Sequence, residues 1–117
     1  MNQDRMMEYV RTLLGDTDRS QPRFDDPSIR RGLDAAINET NTINPKNPQA
    51  HTLESAPETW MACVPEGAAA FCLEERAQQL ARSDPEASQQ LSALAKSQRS
   101  QFKTMAKRVM ANRPASR

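Results

Sequence analysis

The chain is poor in the residues that β-sheet cores, phosphate-binding loops and metal sites require. It has three glycines, two cysteines, one histidine and five aromatic side chains. The scarcity of aromatic and β-branched residues argues against an all-β fold. Three scattered glycines exclude a glycine-rich phosphate loop, and a lone histidine excludes a zinc site built on a histidine pair. No apolar run approaches the ~18 residues of a membrane span, and the first residues lack the apolar stretch of a signal peptide. We therefore expect a cytosolic product that binds no membrane.

Most of the chain consists of residues that favour helix, with alanine, leucine, methionine, glutamate, glutamine, lysine and arginine in the majority. A mass of 13.1 kDa fits one domain. The expected fold is all-α, a small four-helix bundle with a long C-terminal helix and a long loop between helices two and three. We expect one helical domain over residues 1–112, with an irregular loop at about 41–62, and a flexible basic tail at 113–117.

Two helices are predicted in the N-terminal half. Apolar residues recur at helical spacing from Asp4 to Leu14, and Gly15 is placed to end that helix with a positive φ. The second helix is predicted to start at Asp26-Pro27, with Asp26 as its N-cap and proline in its first turn. Its apolar stripe continues to about Thr40.

Two longer helices are predicted in the C-terminal half. Pro65-Glu66 opens an alanine-rich helix that we expect to be central and most buried. Ser83-Asp84-Pro85-Glu86 combines a capping box with an Asp-Pro start, and a fourth helix of about 28 residues, ~42 Å long, follows before Pro114. The apolar stripe of that helix comprises Leu91, Leu94, Gln98, Phe102, Met105 and Val109. The residues expected in the core are Leu33, Ile37, Phe71, Leu73, Leu80, Leu91 and Leu94.

Charge is distributed unevenly along the chain. Residues 1–60 hold seven bases and ten acids, net −3, whereas residues 61–117 hold nine and five, net +4. The fourth helix is longer than a compact body of this size, so its last apolar residues are expected to have no cover from their own chain. Apolar anchors flanked by charge are typical of a binding segment. The candidate docking residues are Phe102, Lys103, Met105, Lys107, Arg108, Val109, Arg113 and Arg117.

Residues 41–62 fit no helical period and contain three prolines, the only histidine and the only tryptophan. A connection of this length is usually functional or disordered. Trp60 is too large and apolar to lie in water, so we expect residues 42–60 to contact a neighbouring subunit or another component of an assembly, with cover over their own domain as the alternative. The candidate contact residues are Pro45, Pro48, His51 and Trp60.

Few residues are candidates for catalysis. His51 is most simply a solvated loop histidine, and Cys63 and Cys72 lack metal-site spacing and are expected to be reduced, buried thiols. Asp25 and Asp26 form a potential carboxylate pair, but a cap and a charge near a helix N-terminus is the simpler interpretation. We expect no enzymatic activity, no catalytic or metal-binding residue and no cofactor.

One arrangement of motifs points to a known family. A short helix ending in Leu14-Gly15-Asp16 precedes Arg23-Phe24-Asp25-Asp26-Pro27-Ser28-Ile29 and then Leu33-Asp34-Ala35-Ala36. This order resembles the N-terminal half of the head–tail connector proteins of tailed bacteriophages, also called adaptor or neck proteins. The alanine-rich stretch from Pro65 to Arg76 looks like their second half, where such a helix precedes a long polar one.

The resemblance implies a structural virion protein that forms a ring, of twelve copies, beneath the portal. Such a ring extends the DNA channel and carries the next neck or tail component. The implied partners are other copies, the portal protein, a downstream neck or tail protein, and DNA passing without sequence specificity. The implied location is the virion neck, after assembly in the host cytoplasm.

Two other classes stay open. One is a small nucleic-acid-binding or terminase-like module that uses the basic C-terminal half, although interleaved aromatics and helix-turn-helix spacing are missing. The other is a helical interaction protein such as a secretion chaperone, which fits the composition but not the motifs around Gly15 and Asp25.

Overall fold

The computed structural model describes residues 2–18, 20, 23–43 and 50–111. Within these ranges the chain forms four α-helices and no strand, which confirms the predicted all-α fold. The helices are α1 (Gln3–Leu14), α2 (Asp26–Ile43), α3 (Val64–Leu80) and α4 (Pro85–Ala111), and a 3₁₀-helix, Glu58–Ala62, precedes α3. The tail predicted at residues 113–117 lies outside the described residues.

Helix α1 ends where the sequence predicts. Gly15 has a φ of 68°, a left-handed conformation that glycine adopts without the strain of a Cβ atom. Its N–H donates to Thr12 O at 3.1 Å, and the N–H of Asp16 donates to Arg11 O at 2.8 Å. These two bonds satisfy carbonyls that the last turn of a helix otherwise leaves unpaired.

The cap of α2 differs by one residue from the prediction, and at α4 one of the two predicted signals is confirmed. Asp25, not Asp26, caps α2, because its Oδ1 accepts the backbone N–H of Ser28 at 2.8 Å. At α4 the capping side chain is that of Asp84, whose Oδ1 accepts the N–H of Ala87 at 3.1 Å. Asp84 of the Asp-Pro start therefore caps α4, and Ser83 of the predicted capping box does not.

Helix α3 is the centre of the fold, as predicted, and it packs against α2, α4 and α1. Its residues 64–70 are all buried. A Cβ atom added to Gly67 would lie 2.8 Å from Phe102 Cδ1 and 2.9 Å from Ala36 Cβ. Helices α2 and α4 thus both approach α3 closely at Gly67, where any larger side chain would hold them apart.

An arginine joins α4 to the two helices beside it. Arg99 Nε and Nη2 donate to the two carboxylate oxygens of Glu74 on α3, at 2.7 and 2.9 Å. Its Nη1 donates to Glu39 Oε1 on α2 at 2.6 Å. Hydrogen bonds and charge from Glu74 and Glu39 raise the pKa of the Arg99 guanidinium above its ordinary value. Arg99 is therefore engaged within the bundle.

The predicted apolar stripe of α4 faces the bundle except at Leu94, since Phe102 is buried and the other members, Leu91, Gln98, Met105 and Val109, are half-buried. Leu33 and Ile37 are buried as expected, whereas Phe71, Leu73, Leu80 and Leu91 are half-buried and Leu94 is 58% exposed. The buried residues of α4 are Ala95, Phe102 and Ala106. Because α3 presents alanine and glycine, α4 can approach it with its own alanines, and Phe102 occupies the space over Gly67.

This register makes a testable distinction between two apolar residues of one helix. We expect Phe102→Ala to lower the free energy of unfolding by about 3–5 kcal/mol, since it leaves a cavity over Gly67. Leu94→Ala, the matched control, should change it by less than about 0.5 kcal/mol, because Leu94 is exposed. Urea unfolding followed by circular dichroism measures both. Equal losses for the two variants would contradict the register.

Candidate interaction surfaces

The residues that carry the connector resemblance build the turn between α1 and α2. The buried Asp16 carboxylate accepts the backbone N–H groups of Arg23 and Phe24, both at 3.0 Å. It also accepts Nη1 of Arg11 at 2.9 Å, and the same guanidinium donates to Phe24 O at 2.9 Å. The aspartate that follows Gly15 is thus a folding element that fixes the chain entering α2.

The two aspartates at the start of α2 have separate structural roles. Asp25 caps the helix, and the backbone and side-chain hydrogen bonds from Ser28 lower the pKa of its carboxyl. Asp26 accepts Nη2 of Arg11 at 2.5 Å. Each carboxylate is therefore already engaged, as a cap or in an ion pair, which supports the structural interpretation of this pair.

Trp60 is covered by its own chain. Its side chain is 4% exposed and its ring makes an edge-to-face contact with His51, with 5.0 Å between ring centroids. The amide of Asn41, near the end of α2, pairs with the backbone N–H and C=O of His51, both at 2.9 Å. Trp60 is therefore covered within its own domain, which was the alternative expectation for this loop. Pro45 and Pro48 lie outside the described residues.

The candidate docking residues of α4 divide into buried and exposed members. Phe102 is buried, and Met105 and Val109 are half-buried against the core, so the expectation that these three lack cover is wrong. The apolar positions face α3 because α4 packs along it. The basic members that remain on the surface are Lys103, Lys107 and Arg108. Arg113 and Arg117 lie outside the described residues.

In the described part of the chain, three large apolar side chains lie exposed elsewhere on the molecule. They are Tyr9 (46% exposed) and Leu13 (37%) on α1, and Leu94 (58%) on α4. The prediction from sequence that Leu94 lies in the core is wrong. The sequence does contain a signal that Leu94 faces outward. A second stripe on α4 places Ala95 and Ala106 on either side of Phe102, and small residues at these positions suit packing against an alanine-rich helix.

These exposed side chains lie on two helices, α1 and α4, that both pack against α3. At roughly 100° per residue, Leu94 lies about 140° around α4 from Arg99, which is bound to Glu39 and Glu74. Tyr9 and Leu13 each lie about 160° around α1 from Arg11, which is bound to Asp26 at the start of α2. On each helix the exposed apolar residues are therefore turned away from the arginine that ties the helix to the bundle. We use the name apolar side for these three residues, Tyr9, Leu13 and Leu94.

No group of three or more histidine, cysteine, aspartate or glutamate side chains in the described ranges is arranged to hold a metal ion. A groove of about 330 Å³ lies between α3 and α4. Of the charged side chains that line it, Glu74 and Arg99 are bound to each other, and Lys96 is exposed. None of the helices in the described part of the chain has the length and apolarity needed to span a membrane.

Both cysteines and one glutamate are buried. Burial raises the pKa of Cys63 to about 11 and that of Cys72 to about 12, so both thiols are neutral near pH 7. Glu66, in the first turn of α3, is 4% exposed, and its Oε2 has no hydrogen-bond donor among the described residues. Loss of hydration raises the pKa of this carboxyl above 4.5. The buried carboxylate costs stability when it is ionised.

This cost predicts a pH-dependent difference for Glu66→Gln. Since the pKa in the folded state lies above the unfolded value, folding favours the protonated acid, and that contribution is lost as pH rises through the raised pKa. At pH 7 we expect the free energy of unfolding of Glu66→Gln to be roughly 1 kcal/mol higher than that of the wild type. The gain should vanish below pH 4.5, where the carboxyl is protonated in both states.

Urea unfolding at several pH values checks this expectation. Glu86→Gln, which changes an exposed glutamate in the first turn of α4, is the matched control and should show no such pH-dependent gain. A Glu66→Gln difference that is independent of pH would contradict the assignment of the cost to ionisation.

Comparison of the chain with protein-family models, with curated proteins and with solved structures finds no match. The function is therefore inferred from the residues and surfaces described above.

Proposed function

We propose that the protein is a structural adaptor of a tailed-bacteriophage neck, one subunit of a ring that lies under the portal and joins the head to the next neck or tail component. The ring, of twelve copies by the resemblance to connector proteins, extends the channel through which DNA passes. The subunit catalyses no reaction in this role. It assembles in the host cytoplasm and ends in the virion neck.

The observation that carries the proposal is the exposure of the three residues of the apolar side. Tyr9, Leu13 and Leu94 are exposed while the remaining large apolar side chains of the described residues are buried or half-buried. Fully burying a side chain of this kind stabilises a complex by ~1.5–3 kcal/mol. Because these residues lie on two different helices, a neighbouring copy of the chain can cover them in a repeating, ring-forming contact.

The turn between α1 and α2 supports the same proposal. The residues shared with connector proteins, Gly15, Asp16 and Asp25, each have a specific structural role in that turn. A rigid junction at this point fixes how α1, with Tyr9 and Leu13, is held against α3. The connector motif would thereby orient the surface that meets the next copy.

The basic end of α4 remains the proposed portal-docking surface in a reduced form. With Phe102 buried, the apolar part of that surface consists of the exposed portions of Met105 and Val109. The charged part consists of Arg108, while Lys103 and Lys107 lie about 140° and about 100° away from it around the helix. Docking on the portal would then depend more on charge than on an aromatic anchor.

Assembly is the property that tests the proposal. We expect the wild-type protein to form a closed oligomer by native mass spectrometry, and Leu94→Glu to remain a monomer because a charge at the centre of a contact is costly to bury. The unfolding temperature of Leu94→Glu should stay close to that of the wild type, since position 94 is exposed.

Ala93→Glu is the matched control, because residue 93 is an exposed neighbour on the same helix that lies outside the apolar side. This variant should assemble as the wild type does. Assembly of Leu94→Glu to the same extent, or a wild type that stays monomeric at all concentrations with and without portal rings, would contradict the proposed role.

A further inference from the structure

One exposed face of α4 carries a line of lysines. Lys96, Lys103 and Lys107 lie within about 40° of one another around the helix, separated by about 10 Å and about 6 Å along its axis. All three are exposed, and none forms an ion pair within the described part of the chain. We call these three residues the lysine line.

The acids that would neutralise this line are engaged elsewhere. Residues 87–117 include no aspartate or glutamate. The carboxylates that reach α4 from the neighbouring helices, Glu39 and Glu74, are both bound to Arg99. The lysine line therefore has no acidic residue near it on α4 to neutralise its charge, and Glu39 on α2 and Glu74 on α3 are already paired with Arg99.

The residues beside the lysine line are polar and small. Ser97, Ser100, Gln101 and Thr104 are exposed and, with Met105 and Arg108, line a shallow depression of about 490 Å³. Lysine, serine, threonine and glutamine side chains are among those that contact nucleic-acid phosphates. The chemistry of this face thus matches a phosphate backbone.

A protein partner fits this face less well. Tight protein contacts are centred on a buried aromatic or aliphatic anchor, and the lysine line and its serine and threonine neighbours include none. The one aromatic side chain of α4, Phe102, is buried against Gly67. The same absence of an exposed ring argues against single-stranded nucleic acid, which is held by bases stacked on aromatics.

We propose that the lysine line binds the phosphate backbone of duplex DNA without sequence specificity. The line spans about 16 Å, close to the axial rise of five phosphates along one strand at ~3.4 Å each. Lysines act here as point charges. Of the two arginines on the described part of α4, Arg99 is bound to Glu74 and Glu39, so Arg108 alone is exposed, without a second arginine beside it to read base edges. This inference does not depend on ring formation, since one copy carries the whole face.

The line lies on a different part of α4 from Leu94. Lys96 is about 160° around the helix from Leu94, at roughly 100° per residue. A subunit can therefore contact DNA along the lysine line while a second copy covers its apolar side. In a ring, the lysine line would be the face directed at the channel.

Salt-dependent binding to a duplex tests the proposal. The probe is a fluorescently labelled 20-base-pair duplex of arbitrary sequence, titrated by anisotropy at several salt concentrations. For the triple variant Lys96→Gln, Lys103→Gln, Lys107→Gln, we expect the slope of log K against log salt to fall by about 0.9 for each lysine. At about 0.1 M salt this corresponds to roughly eightfold weaker binding per lysine.

The matched control is Arg5→Gln, Arg30→Gln, Arg82→Gln, which removes the same three charges at exposed positions off α4. It should keep the wild-type slope, and both triple variants should keep the wild-type unfolding temperature. Equal effects of the two triple variants, or no wild-type binding at low salt, would overturn the proposal.

Two further arms separate the alternatives. When competitors are compared at equal concentrations of negative charge, less unlabelled duplex than polyglutamate should be needed to displace the probe. Equal displacement by the two would assign the face to acidic proteins and overturn the proposal. Leu94→Glu should bind the duplex as a monomer with the wild-type salt slope. Failure of assembly in that variant therefore leaves the DNA measurement intact, so the two proposals fail independently.

Discussion

The close approach of three helices at the small residues of α3 is the constraint on which the rest of the structure depends. At Gly67, α2 contributes Ala36 and α4 contributes Phe102, both within 3 Å of the position that a Cβ atom would occupy. Gly32 on α2 is packed in the same way against Ala68. Small residues on facing helices let their backbones come near, and dispersion contacts accumulate over that area. Because the protein has few aromatic side chains, its core is formed by closely packed small residues rather than by large side chains.

This packing also decides which charges remain for other molecules. Because the helices are close, Arg99, Arg11 and Arg31 each reach carboxylates on a neighbouring element or turn, and five acids are engaged by these three arginines. These five acids thereby serve the fold, and no carboxylate in the described part of the chain forms an ion pair with a lysine of α4. A chain with a net charge of +1 consequently presents a distinctly basic face on α4. The proposed partner contacts use the residues that the bundle leaves unpaired or exposed.

Local signals in the sequence predicted the helices and their ends well. They did not predict which residues of those elements pack against one another. Gly15 and the Asp-Pro pairs mark helix ends because capping depends on residues a few positions apart. The register of α4 does not depend on its own sequence alone. Two stripes share Phe102, one through Leu94 and one through Ala95, and the alanine-rich surface of α3 selects the second. Likewise, the packing of Trp60 on His51 requires Asn41 to close a ten-residue segment, a contact that no periodicity reveals.

Native-state hydrogen exchange tests the central place of α3 most directly. If the bundle is held together through the small residues of this helix, amides of residues 68–72 should exchange only through global unfolding, with a protection free energy equal to that from urea unfolding. Amides around Leu94, whose side chain is exposed, should exchange faster through local opening of α4. Protection at residues 91–94 equal to or greater than that at residues 68–72 would contradict the account.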